Sequence, residues 1–558
     1  MSENGRTPYG SDAMLGAILR RIMPDLDSEA LYRALLAKDT RFDGRFFVGV
    51  ATTGIYCRPV CRARKPLAVN CSFYATAAEA EQAGFRPCLL CRPELAPGYA
   101  PVDSSASLAR AAARYIERNC GVQGSLTDIA RHLGCSNRHL RRVFEDAYHV
   151  RPVEYRQTCR LLLAKSLLTD TDLSVVDVAY SAGFGSLRRF NEVFRHRYRL
   201  TPTALRSQAR LSRTDGDAVQ LSLGYRPPYR WDLMLKFLAR RAIPGVEKAE
   251  EDRYARTIRL QSSGRDLTGW VTVDNDAEHN RLTVTVSASL LPALPVVLDG
   301  IKNLFDLHCE PDTVARALTS MDESALGPFI PGMRVPGCFD AFETAVLAVL
   351  GQQVTVQAAR TLAGRLVQAL GSPMDTGIDG LTTTFPMVQE LLNLDGAIEQ
   401  HLGPLGIITA RARAIHGLAA MMGSDTIDAS YCPDPEAAVA RFMEIPGIGA
   451  WTAGYIAMRC LAWPDAFLAT DLEVRKALRT PSPGKILTLA ERWKPWRAYA
   501  VMHLWNRAEA ESVSDHTTKS KKRNEKKEEM HYLSHYESPL GAMTMASDGE
   551  HLTGLWFD

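Results

Sequence analysis

The 558-residue chain has no apolar run approaching a membrane span, and no apolar segment of the kind that opens a secreted precursor. A membrane-embedded or exported protein is therefore not expected, and a reducing cytoplasm is. An excess of charge of one sign is also missing: 66 Lys and Arg face 63 Asp and Glu, a net +3. The balance is uneven along the chain. Between Ser107 and Arg210 stand 18 basic and 9 acidic residues, the imbalance of a nucleic-acid-binding unit. The length is too great for one core, so several domains are expected. Twelve cysteines in a reducing compartment should bind metal where they cluster rather than pair with each other.

Pattern and composition divide the chain into seven segments: a leader (1–24), a mixed unit (25–101), a helical unit (104–210), a small sheet unit (217–303), a helical unit (304–510), a charged linker (511–530) and a tail (531–558). Strand-like runs are expected at Arg45–Ala51, Tyr254–Leu260, Trp270–Val273 and Arg281–Ser287, and the tail alternates like a hairpin. The fold class is multidomain α+β.

Four places carry chemistry. Ile445-Pro446-Gly447-Ile448-Gly449-Ala450-Trp451 is a Pro-Gly-hydrophobic-Gly turn opening a helix, suited to hold a DNA phosphate on helix N–H groups, with Gly447, Ile448 and Gly449 as DNA contacts. Asp471 follows as a nearby carboxylate. Cys57-x3-Cys61 and Cys88-x2-Cys91, separated by 26 residues, suit tetrahedral Zn²⁺, either as a structural knot or as a reactive site. Arg58, Arg62, Arg64 and Lys65 crowd that quartet, and Arg58 and Arg62 are expected to meet DNA. Cys71 reads as a packed residue. Two helix-turn-helix units turn at Gly134 and Gly183; their second helices offer Arg138, Arg141 and Arg142, then Arg188 and Arg189, to the major groove. Phe144, Phe184, Phe190 and Phe194 read as core.

FFVGVATTGIYCRPVCRAR and FYATAAEAEQAGFRPCLLCRP resemble the N-terminal domain of the Ada methyl-transfer regulator, and the paired helix-turn-helix units resemble the AraC-type DNA-binding domain. From Leu221 to about Arg507, YRPPYRWDLMLKFLARRAIPGVE, VPGCFDAFETAVLAVLGQQVTV, IPGIGAWTAGYIAMRC and ERWKPWRAYAVMHLW resemble the 3-methyladenine DNA glycosylase II (AlkA-type) family of the helix-hairpin-helix superfamily. The first resemblance implies one Zn²⁺ on Cys57, Cys61, Cys88 and Cys91, with Cys57 taking a methyl group from a methylated phosphate. The third implies Asp471 as the catalytic carboxylate, Trp451, Tyr455 and Trp505 around the flipped base, Gln352 and Gln353 in the loop that fills the gap, and a monovalent cation at the hairpin. Trp451 stands where strand-cutting relatives carry a lysine, so base removal alone is expected. Together the resemblances imply a monomer acting on double-stranded alkylated DNA and on promoter DNA, with RNA polymerase as a further partner. The alternative is a regulator whose glycosylase-like half only grips DNA. The tail resembles the opening strands of alkylguanine-DNA alkyltransferases, as a truncated copy; the reactive Pro-Cys-His-Arg motif of that family occurs nowhere in the sequence, so that activity is not expected.

Overall fold

The computed structural model describes residues 27–39, 42–96, 107–121, 125–208, 217–250, 252–262, 264–319, 321, 329–424, 432, 434–480, 482–508, 532–538, 541–547 and 552–557. The leader and the charged linker lie outside them. The rest is α+β and multidomain, and no helix among the described residues is long and apolar enough to cross a membrane.

In the N-terminal unit the helix Ser28–Ala37 starts where the Asp27 carboxylate accepts the Ala30 N–H at 2.8 Å. Four short strands follow: β1 (Phe47–Val50), β2 (Ile55–Cys57), β3 (Cys71–Tyr74) and β4 (Arg86–Pro87), in sheet order β3-β1-β2-β4. The parallel pairing of β2 with β4 sets Tyr56 opposite Pro87, and the Cys88 N–H donates to the Tyr56 carbonyl at 3.0 Å. Two cysteine pairs far apart in sequence thereby meet. Cys71 is fully buried among Leu31, Leu35, Phe46 and Phe73, packed as expected.

The next unit is helical throughout its described residues and nearly repeats itself. Ser125 and Ser174 cap the first helices, Leu126–His132 and Val175–Ser181; Ser136 and Ser186 cap the second, Asn137–Tyr148 and Leu187–Tyr198. The long helix Pro152–Asp170 joins the copies. Gly183 is required twice over. Its φ is +83°, and a Cβ there would lie 2.5 Å from the Cys120 carbonyl oxygen. Phe144, Phe184, Phe190 and Phe194 are all buried.

The sheet unit has β5 (Ala218–Gly224), β6 (Glu247–Glu250), β7 (Arg253–Ser262), β8 (Arg265–Asp276) and β9 (Arg281–Ser287), in antiparallel order β5-β9-β8-β7-β6. β9 matches the expected run. β7 and β8 are longer than their apolar text, because cross-strand pairing carries polar residues such as Arg259 opposite Thr268 into the ladder. β5 and β6 are additional. Helices from Leu294–Leu304 to the helix at 497–508 complete the C-terminal half of the described chain. One apolar core runs from Leu161 to Leu504, so the second helix-turn-helix copy, the sheet and the helical lobes are packed together. The tail strands Tyr532–Ser538, Gly541–Ser547 and Leu552–Phe557 form an antiparallel meander, one strand more than the expected hairpin.

The N-terminal unit docks on the helix-turn-helix unit through buried polar groups. Glu81 accepts the Tyr56 hydroxyl at 3.1 Å, the Thr158 hydroxyl at 3.0 Å and the Tyr198 hydroxyl at 3.4 Å. Close by, Glu94 accepts Lys165 Nζ at 2.6 and 2.7 Å, both side chains being almost wholly buried. Burial pushes the Glu81 carboxyl up to about 7, from an ordinary 4.5. The folded protein therefore binds a proton that the unfolded chain has already released. This contribution is fully present below the ordinary carboxylate range and is lost as pH rises through about 7. Glu81→Gln keeps the shape and one acceptor oxygen, offers an N–H donor where the protonated carboxyl offers O–H, and cannot titrate. In urea melts between pH about 5 and 8, the wild type should lose roughly 1–3 kcal/mol more than the variant. Parallel curves would show that Glu81 does not set the docking.

Candidate functional site

The quartet forms at the open ends of β2 and β4. The Sγ atoms of Cys57, Cys61, Cys88 and Cys91 all lie within 4.8 Å of one another, close enough for four bonds of about 2.3 Å to one Zn²⁺. Cys61 and Cys88 are buried, whereas Cys57 and Cys91 are partly exposed. Of the accessible pair, Cys91 Sγ already accepts the Arg58 N–H at 3.3 Å. A hydrogen bond draws charge from that sulfur.

Arg58 was expected on the DNA side and is instead turned inward. Its Nε donates to Asp43 Oδ1 at 2.7 Å, its Nη2 bonds Asp43 Oδ2, and its Nη1 donates to the Cys91 carbonyl at 3.2 Å. A bidentate carboxylate outcompetes water for a guanidinium in this half-buried place, so Arg58 frames the quartet. Arg62 and Arg64 stay exposed. The Asp43 carbonyl in turn accepts Arg226 Nε at 3.1 Å, from the loop after β5.

The second site grows from the hairpin. The helix Pro435–Met443 ends, the chain turns, and the helix Ala450–Arg459 begins. Gly447 has φ +93°, the left-handed region where glycine belongs. Gly449 does not share that need: its φ is −94°, in extended backbone. Nor does crowding require it, since a Cβ there would meet nothing within 4 Å. Ile448 is an anchor rather than a contact. Its side chain is buried and its N–H is spent on the Ile445 carbonyl at 3.0 Å. An anion is thus left with Gly449 and the unpaired N–H groups of the next helical turn. Gln352 braces the turn from the neighbouring loop, its Nε2 donating to the Gly447 carbonyl at 2.8 Å and to Thr452 Oγ1 at 2.9 Å. Gln353 beside it is exposed with φ +54°, rare for a residue with a Cβ.

One helical turn on, the structure gathers the expected catalytic and pocket residues. Asp471 is buried and caps the helix Leu472–Ala477, its Oδ1 accepting the Val474 N–H at 2.9 Å. The same Oδ1 accepts Trp505 Nε1 at 2.9 Å, and Oδ2 accepts Trp451 Nε1 at 2.7 Å. Three N–H donors from three chain segments fix the carboxylate's orientation. Trp451 stacks on Tyr455 with centroids 5.2 Å apart and planes at 17°, and Tyr455 lies 6.3 Å from Trp505. Arg459 Nη1 donates to the Tyr455 hydroxyl at 2.9 Å while its other nitrogens hold the Pro336 and Gly337 carbonyls. Phe237, on the helix Trp231–Arg241 of the sheet unit, stacks beside Trp505 at 6.3 Å and 17°. Sequence reasoning missed it because its spacing on that helix reads as core.

Arg138, Arg141 and Arg142 lie exposed on one helix, and Arg188 and Arg189 on its counterpart. Arg189 pairs with Glu192 at 3.2 Å on the surface, a contact weak enough to yield to phosphate.

Family models for the metal binding domain of Ada, a helix-turn-helix domain and the AlkA N-terminal domain match residues 30–94, 129–208 and 220–340. A Mycobacterium tuberculosis protein named probable bifunctional transcriptional activator/DNA repair enzyme AlkA is 36% identical over 492 residues, covering 87% of this chain and 97% of its own. DNA-3-methyladenine glycosylase 2 of Escherichia coli K12 is 38% identical over 284 residues, 51% of this chain and 96% of its own. Bifunctional transcriptional activator/DNA repair enzyme AdaA of Bacillus subtilis 168 is 28% identical over 192 residues, 34% of this chain and 88% of its own. With identity sustained over nearly the whole length of the first of these, the chain belongs to the family of the bifunctional transcriptional activator and DNA-repair enzyme AlkA.

Proposed function

We propose that the chain repairs alkylated DNA by hydrolysing the bond between deoxyribose and an alkylated purine of the 3-methyladenine kind, and leaves an abasic site. The observation that carries this is the Asp471 carboxylate, buried and oriented by Trp451, Trp505 and the Val474 N–H beside a hairpin suited to phosphate. N-alkylation makes the purine cationic and ready to leave. As the C1′–N bond breaks, positive charge grows on the sugar, and a fixed carboxylate stabilises it. Water then adds to C1′, and Asp471 accepts its proton. The faces of Trp451, Tyr455 and Trp505 favour the cationic purine over neutral bases. No lysine stands at position 451 to capture the sugar, so the strand stays whole. Gln353, exposed on a left-handed residue, fills the gap left by the extruded base.

The N-terminal unit takes a methyl group. Zn²⁺ bound by the four cysteines keeps their sulfurs as thiolates. Cys57 Sγ forms the S–CH₃ bond as the CH₃–O bond of a phosphotriester breaks, and the phosphate leaves as a diester anion. One negative charge is lost from the protein, so its repulsion from DNA falls and the helix-turn-helix pair holds promoter DNA more tightly. A buried carboxylate with three donors is needless in a passive DNA platform, which disfavours the regulator-only reading.

The test is the purified protein on methylated duplex. Freed bases, methyl on Cys57 and strand length before alkali are scored in one reaction. Strand breaks without alkali would sink base removal alone, and absence of freed 3-methyladenine would sink the enzyme.

A further inference from the structure

A cavity of about 660 Å³ opens where the N-terminal unit, the helix-turn-helix helices, the sheet unit and the helical lobes meet; Asp471 is not on its wall. Its carboxylates are matched. Glu94 holds Lys165, Glu117 accepts the Tyr155 hydroxyl, Asp299 faces Arg118 at 4.0 Å, Asp306 accepts the Tyr499 hydroxyl, and Asp465 holds Arg497. Its cations are not all matched. The helix Ser107–Arg118 packs on the helix Leu294–Leu304, and Arg118 pairs with Asp299 at one point of the seam. One turn along each helix stand Arg114 and Lys302, both on the cavity wall, with no hydrogen bond or ion pair from either side chain among the described residues. His308 lines the same corner. Burial, with Arg114, Lys302 and Arg226 nearby, holds its ring well below the ordinary range.

Arg114 and Lys302 reach the same cavity wall from two different helices, and an anion lodged there is attracted by both. We propose that this corner binds a small molecule with a phosphate head, gripped by Arg114 and Lys302, and an apolar body lying toward Tyr155, Leu298 and Trp463. A guanidinium matches phosphate by two parallel hydrogen bonds, and the volume falls within the usual span of ligand pockets. Such a ligand would tie the helix-turn-helix half to the repair half.

The experiment uses the zinc-loaded full chain at fixed ionic strength, with AMP, inorganic phosphate and adenosine as probes in calorimetry and thermal melts. AMP should bind and raise Tm, phosphate should bind more weakly, and adenosine should do neither. Lys302→Gln removes one of the two cations and keeps a polar side chain of similar length. Its ligand-free Tm should hold while AMP affinity drops about tenfold or more; Arg114→Gln should lose AMP in the same way. The site is overturned if the wild type binds neither AMP nor phosphate, or if both variants bind AMP as the wild type does. Adenosine binding as well as AMP would remove the anion from the argument. An undamaged duplex displacing AMP would give the corner to a DNA phosphate and overturn the small-molecule reading.

Discussion

Asp471→Asn should leave the protein folded and able to grip duplex DNA while release of 3-methyladenine falls by roughly 10²–10³-fold, the usual effect of removing one preorganised electrostatic group. The geometry supports both halves of that expectation. Asparagine is a good N-cap, so its Oδ1 retains the Val474 and Trp505 N–H groups that Asp471 Oδ1 accepts. Its amide nitrogen, replacing Oδ2, then faces the Trp451 indole N–H as donor against donor. That mismatch costs about 1–3 kcal/mol of stability, which the fold survives. What the sugar loses is the negative charge. Some activity persists because the cationic purine is already a good leaving group. Single-turnover base release with anisotropy on the same duplex separates the two. Wild-type release by the variant would place catalysis on another residue.

Cys57→Ala should abolish methyl acceptance outright and leave base excision unchanged. The effect is total because transfer is stoichiometric: without the Cys57 sulfur no S–CH₃ bond can form there. The Arg58 N–H already draws on the lone pairs of Cys91, the other partly exposed sulfur of the quartet. Removing a ligand also weakens Zn²⁺ binding, so Cys57→Ser, which keeps an oxygen near the metal, guards against simple unfolding. Labelled methyl is followed by peptide mapping, and salt-dependent promoter binding is measured before and after exposure to methylated DNA. Methyl still arriving in this unit of either variant would mean another cysteine is the acceptor. The wild type should tighten on promoter DNA after exposure and neither variant should, because only in the wild type does the net charge facing DNA change.

Much of both sites was legible in the sequence because their chemistry is carried by residue type and local spacing. Four cysteines in two tight pairs, a glycine turn before a helix, and a carboxylate at a helix start announce themselves within a few residues. Legibility failed where long-range packing decides. Arg58 looked like a surface cation until Asp43 appeared beside it, and no spacing rule predicts that pairing. Gly449 and Ile448 belong to a turn read correctly as a whole, but the division into a strained glycine, an anchor and an open position is set by dihedrals and by the core beneath. Phe237 reaches Trp505 from another unit. β5 pairs with β9 across some sixty residues, and it is this pairing that makes a strand of polar-alternating text.

The single apolar core from Leu161 to Leu504 also constrains how such a chain can be divided. Tethered modules can be expressed apart, exchanged or duplicated, each carrying a finished polar surface. Here the helix-turn-helix half ends on side chains such as Leu161, Phe190 and Phe194 whose cluster continues through Val219, Leu221 and Leu294 of the repair half. A split gene would give two products, each with an oily flank in water. They would be expected to stick, to each other or to whatever else offers an apolar face. Because the two halves share an interior, separating them requires rebuilding the surface of each.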